Sequence, residues 1–109
     1  MTNLKTIVLP EVMSDESGII LPSSFAVQSG VENVVFRNDQ MAQIGDYAFL
    51  NCSYLKEIEL PHMEGRYAVE RYTFRGCSDI TITLNNETDS ILYSPWGATN
   101  ATVVWKGWT

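Results

Sequence analysis

Two cysteines, one histidine and a few carboxylates are the groups in this 109-residue chain that could do chemistry. A thiol nucleophile needs a base within hydrogen-bond reach. His62 follows Pro61 where the chain leaves an alternating apolar run, whereas Cys52 and Cys77 close matching apolar segments and should face a core. Two Cys and one His also fall short of the four ligands of a structural zinc site. Asp15 and Glu16 sit in Met13-Ser14-Asp15-Glu16-Ser17-Gly18, a turn-rich insertion where acids favour turns and solvent. Glu57 and Glu59 lie two apart on one expected strand and so share a face. Paired carboxylates can hydrolyse a glycoside, but that chemistry needs one acid with a raised pKa, and nothing around Glu57 or Glu59 marks either. A solvated strand face is the simpler reading. No phosphate-cradling glycine loop, serine-centred elbow or calcium loop is present. The residues therefore describe a chain with no catalytic centre, no metal and no cofactor.

Composition narrows the partners. Thirteen acids against seven bases give a net charge of −6, which disfavours a phosphate-tracking protein and docking on an anionic membrane. No apolar run approaches the roughly 20 residues of a membrane helix. The segment Met1-Thr2-Asn3-Leu4-Lys5 shows no signal peptide, and the compartment stays open. With 45% apolar and 11% aromatic residues, the chain has material for a core.

The elements that must position these groups emerge from internal repetition. Leu4-Lys5-Thr6-Ile7-Val8-Leu9-Pro10 and Leu55-Lys56-Glu57-Ile58-Glu59-Leu60-Pro61 share one frame. Val31-Glu32-Asn33-Val34-Val35-Phe36 fits a looser version, and Ile80-Thr81-Ile82-Thr83-Leu84 fits with one deletion. The middle positions Ile7, Val34, Ile58 and Ile82 step by 27, 24 and 24 residues. A second motif runs in phase: Ile44-Gly45-Asp46-Tyr47-Ala48-Phe49-Leu50-Asn51-Cys52 matches Val69-Glu70-Arg71-Tyr72-Thr73-Phe74-Arg75-Gly76-Cys77. The segment 20–28 matches the same frame with Gln28 in place of Cys. This is a degenerate repeat of about 24 residues, present three to four times.

Each unit combines a short strand buried on one face with a turn placing Phe and Cys three apart, the spacing of a helical or 3-10 turn. Neither piece buries its apolar face alone, but stacked units share a continuous core. Phe25, Phe49 and Phe74 should form one internal column. Leu4, Val31, Leu55 and Ile80 should form another, and Ile7, Val34, Ile58 and Ile82 a third.

The frame Ile44-Gly-x-Tyr-Ala-Phe49-x-x-Cys52-x-x-Leu55-x-x-Ile58-x-Leu60-Pro61 resembles the repeat of BspA-type bacterial leucine-rich repeat proteins. The resemblance spans roughly residues 3–84. It implies a short right-handed leucine-rich-repeat solenoid, built mainly of short parallel strands with helical or 3-10 turns. It also implies a non-catalytic binding or adhesion scaffold on a bacterial, protozoan or phage surface. In such a repeat the cysteine is a core residue, so Cys52 and Cys77 on neighbouring rungs are expected as buried thiols, although adjacent strands lie close enough for a disulfide. The glycosylation sequons at Asn51, Asn86 and Asn100 read as chance matches.

Residues 85–109 depart from the repeat and read as a C-terminal cap strand and tail, against residues 1–84 as the repeats. Thr102-Val103-Val104-Trp105 has strand character, and Ile91 and Trp96 are suited to plug the open core. Pro95-Trp96-Gly97-Ala98-Thr99-Asn100-Ala101-Thr102 is similar to segments near the C-termini of phage and prophage proteins of Gram-positive bacteria. If the apolar strand positions point inward, Thr6, Asn33, Glu57 and Thr81 form one outward column, and Val8, Val35, Glu59 and Thr83 the next, extended by Thr102 and Val104. These eight column residues are the candidate surface for a protein or glycan partner. Lys106 and Trp108 are candidates for contact with a partner or a neighbouring subunit. The alternative is an assembly unit that oligomerises through an open N-terminal edge and the C-terminal tail.

Overall fold

The computed structural model describes residues 6–9, 14–15, 18–21, 24, 26, 30–36 and 40–107. Its elements are strands: β1 (Thr6–Leu9), β2 (Ser14–Asp15), β3 (Gly18–Leu21), β4 (Asn33–Phe36), β5 (Gln40–Met41), β6 (Gln43–Ile44), β7 (Glu57–Leu60), β8 (His62–Met63), β9 (Thr81–Leu84) and β10 (Thr102–Trp105). The longest strands recur once per coil and pair in parallel with the equivalent strand of a neighbour. β1 pairs β4, with Ile7 opposite Val34. β7 pairs β9, with Ile58 opposite Ile82, and β10 pairs β9, with Val103 opposite Ile82. Shorter parallel contacts, β3 with β6 and β5 with β8, line other sides of the coil, and Ile44 bridges Val69. The result is a parallel-strand β-solenoid, as the repeat period predicts. The insertion around Asp15 forms a hairpin in which β2 runs antiparallel to β3.

The core lies between coils. In β7, Glu57 and Glu59 are exposed while Ile58 and Leu60 are buried, the period-two alternation of a half-buried strand. Val31, Leu55 and Ile80 are buried as one expected column; Leu4 lies outside the described residues. Phe49 and Phe74 are fully buried and stack with centroids 5.5 Å apart and planes 6° from parallel. Phe25 also lies outside the described residues. Trp96 continues the aromatic column, meeting Phe74 edge-on at 6.4 Å and Trp105 at 6.3 Å. Its indole N–H donates to the Leu92 carbonyl at 2.7 Å, so this fully buried ring leaves no polar atom unpaired. Ile91 is buried in the same core cluster.

One expectation is corrected. The Phe-x-x-Cys segments are not helical or 3-10 turns, and no helix occurs among the described residues. They are linked turns closed by bonds from Ala48 N–H to Gly45, Leu50 N–H to Tyr47 and Cys52 N–H to Phe49. A helix needs consecutive negative φ angles, but Tyr47 and Asn51 sit at φ +59° and +58°. The left-handed residues redirect the backbone so that some N–H groups of the turn reach the next coil instead. Phe49 N–H bonds to Thr73 O at 2.9 Å and Asn51 N–H to Arg75 O at 2.7 Å. In the following coil Gly76 takes the left-handed place (φ +85°), where a Cβ would come within 2.9 Å of Asn51 Cα.

Replacing Trp96 with alanine removes the end of this column and leaves a cavity against Phe74. Urea unfolding should show a loss of about 3–5 kcal/mol, the range for large aromatic truncations in cores. A loss below about 1 kcal/mol would mean that Trp96 does not close the core.

Candidate functional site

Within each ladder the strands pair neighbouring members of the expected columns. Thr6 pairs with Asn33 and Val8 with Val35. Glu57 pairs with Thr81 and Glu59 with Thr83, and Thr102 and Val104 continue both rows through β10. Thr6, Asn33, Val35, Glu57 and Glu59 are exposed, whereas Thr81 and Thr83 are half-buried because β9 is flanked by strands on both sides. The face is not one continuous sheet. β1 and β4 form one ladder and β7, β9 and β10 another. At the seam between β4 and β7 a shallow depression opens, lined by Asn33, Val35, Lys56, Glu57, Glu59 and Thr83.

Several charges on this face are already engaged. Lys56 Nζ donates to the Ser78 carbonyl at 2.8 Å. Glu59 accepts from Asn85 Nδ2 and from Lys106 Nζ, both at 3.1 Å. The Asn85 hydrogen bond, then that of Lys106, holds the Glu59 carboxyl below its ordinary pKa, so it stays ionised and acceptor-only. Lys106, expected to reach a partner or neighbouring subunit, is thus paired within its own chain. Trp108 lies outside the described residues. Glu57 is exposed, and Val35 is 46% exposed beside the seam.

The potentially reactive residues are directed elsewhere. Both cysteines are free and buried. Cys52 Sγ donates to the Ala26 carbonyl at 2.9 Å, and Cys77 Sγ to the Phe49 carbonyl at 3.2 Å. Each thiol thereby ties its coil to the preceding one. Burial pushes the Cys77 thiol up to about 11, with the neighbouring Cys52 adding to the effect, which is the reverse of what a nucleophile needs. His62 sits in β8 and its Nδ1 contacts the Asn85 carbonyl at 2.8 Å. Among the described residues no group of three or more His, Cys, Asp or Glu side chains could hold a metal, and no helix is long and apolar enough to cross a membrane.

Sequence reasoning missed Asn86, whose buried amide acts as a substitute strand. Its Oδ1 accepts the Met63 N–H and its Nδ2 donates to the Met63 carbonyl, both at 3.0 Å. This satisfies the outer edge of β8, and it engages the amide nitrogen that the sequon would offer. It also missed the aligned tyrosines Tyr47 and Tyr72, although the recurring Tyr-x-Phe spacing was a visible signal.

A sequence model of the BspA type leucine-rich repeat region (6 copies) matches residues 18–96. The chain belongs to the BspA-type leucine-rich repeat family. Comparisons with curated proteins and with solved structures gave no match. The family match runs past Leu84 to Trp96, in keeping with the place of Trp96 in the aromatic column. Leucine-rich repeats of this BspA type are generally binding scaffolds.

Because the Cys77 thiol must stay protonated in the folded chain, its contribution to folding stability should be fully present below pH 9 and be lost as pH rises toward about 11. At pH 8 neither thiol should react with a thiol-exchange dye until denaturant is added. Prompt labelling of the native protein would contradict the buried ladder.

Proposed function

We infer that the chain is a non-catalytic protein-interaction module that captures its partner on the strand face, across the seam between β4 and β7. The observation supporting this most is the pairing of Thr6 with Asn33 and Val8 with Val35 in one ladder, and of Glu57 with Thr81 and Glu59 with Thr83 in the next, meeting at the β4–β7 seam. Parallel register turns a one-residue choice per coil into an extended surface, which is how repeat proteins present binding sites. Val35 supplies an apolar contact flanked by the carboxylate of Glu57, so the face suits a partner with an apolar anchor and nearby donors or basic groups. In its finer form the reading is adhesion, on a bacterial surface or a virion, to a protein or glycan.

A second reading rests on β10, the outermost strand of its sheet, with Val104 39% exposed. An edge strand offers unpaired backbone groups to another chain, so copies could assemble end to end. Light scattering over a dilution series separates the two: a monomer at every concentration removes assembly.

The strand-face reading is tested with Val35→Lys/Glu57→Lys, which reverses the charge of the seam while touching no buried side chain. A partner recovered from source-cell lysate by the parent protein should be lost with this variant, whose melting temperature should be unchanged. Equal recovery by both proteins would overturn the assignment.

A further inference from the structure

The repeat that builds the core also aligns aromatic residues on the turn segments, half-buried at Tyr47 and exposed at Tyr67, Tyr72 and Tyr93. Tyr47 and Tyr72 hold the same place in successive coils, and their rings stack at 5.8 Å with planes 15° apart. Tyr67 and Tyr93 form a second pair at 6.1 Å. Arg71 lies over the Tyr93 ring at 4.3 Å and Arg75 over the Tyr72 ring at 5.6 Å. The two groups adjoin through the consecutive residues Arg71 and Tyr72. Tyr67 is 58%, Tyr72 41% and Tyr93 37% exposed, and both arginines are exposed. Their backbone is anchored: Asp46 Oδ1 accepts the N–H of Tyr47 at 3.2 Å and of Tyr72 at 3.0 Å, joining the two coils below the rings.

We propose that this tyrosine–arginine strip is a second recognition surface that takes an acidic segment of a partner polypeptide. Carboxylates of that segment would meet the edges of Arg71 and Arg75, while its apolar groups lie on the tyrosine rings. Tyr and Arg are the residue types that dominate interface energetics, and rings with only two side-chain torsions lose little entropy on binding. A guanidinium whose flat face rests on a ring still presents its in-plane N–H groups for bidentate bonding to a carboxylate. Lys106 pairs with Glu59, whereas the guanidinium groups of Arg71 and Arg75 lie against rings. Charge sets the partner's sign. The whole chain carries −6, yet on this turn region Arg66, Arg71 and Arg75 outnumber the acids Asp46 and Glu70, and Asp46 Oδ1 is engaged by the backbone N–H groups of Tyr47 and Tyr72. The strand face instead presents Val35 beside Glu57, with Glu59 neutralised by Lys106, so the two surfaces would select different partners.

The test uses the full chain and a fluorescein-labelled peptide of alternating Glu and Tyr, followed by anisotropy. A Gln–Tyr peptide of equal length serves as the control. The Glu–Tyr peptide should bind, at least about tenfold more tightly than the control, and weaken as salt rises. Arg71→Ala/Arg75→Ala should lose about tenfold or more, whereas Val35→Lys/Glu57→Lys should bind as the parent does, which keeps this outcome separate from the strand-face reading. Failure of the Glu–Tyr peptide to saturate up to about 1 mM would overturn the proposal. So would equal binding of both peptides, or full binding by the arginine double variant. Amide NMR shifts on titrating the parent protein give a check that needs no variant. They should fall on residues 46–54, 66–76 and 91–97, and shifts confined to β4, β7 and β9 would overturn the proposal.

Discussion

A single coil of this chain cannot bury its own apolar side chains; burial exists only where one coil meets the next. That constraint accounts for the Phe49–Phe74 stack, for the fully buried Trp96 beyond it, and for thiols that donate to the carbonyls of the preceding coil. It also fixes the surface. Once the aromatic column is in register, Glu57 must lie beside Thr81 and Glu59 beside Thr83, because inward and outward residues alternate along one backbone. The exposed rows follow from the buried ones and need no interactions of their own to be aligned.

The same constraint explains how the molecule deals with its polar groups. Backbone donors left over by the turns reach across to the neighbouring coil, as Phe49 and Asn51 do. Where a strand partner for Met63 is replaced, the Asn86 side chain makes both hydrogen bonds of a rung. Buried amides and thiols thus act as short crosslinks between layers. Their cost is offset only because each finds a partner, since an unpaired buried polar group is destabilising by about 1–3 kcal/mol.

Much of this was legible in the sequence because a period is a long-range signal. The spacing of Ile58 and Ile82 alone predicts their pairing, and the run Thr102-Val103-Val104-Trp105 predicts a final strand. The turn geometry was not legible. Phe and Cys three apart suit a helix, and only the positive φ of Tyr47 and Asn51 shows that the backbone bends otherwise. The Glu59–Lys106 pair joins residues 47 apart in the chain, outside any repeat frame, so no pattern announces it. The tyrosines were visible as a recurrence, but their exposure follows from the same unexpected turns.

The central claim, that coils are held by aromatic contact between layers, is tested most directly by a double-mutant cycle on Phe49→Leu and Phe74→Leu, with stabilities from urea unfolding. Leucine keeps both positions apolar and removes the ring contact. The stacked geometry calls for a coupling of about 0.5–1.5 kcal/mol. Effects additive to within about 0.3 kcal/mol would show that the two rings do not act on each other, and would contradict the account.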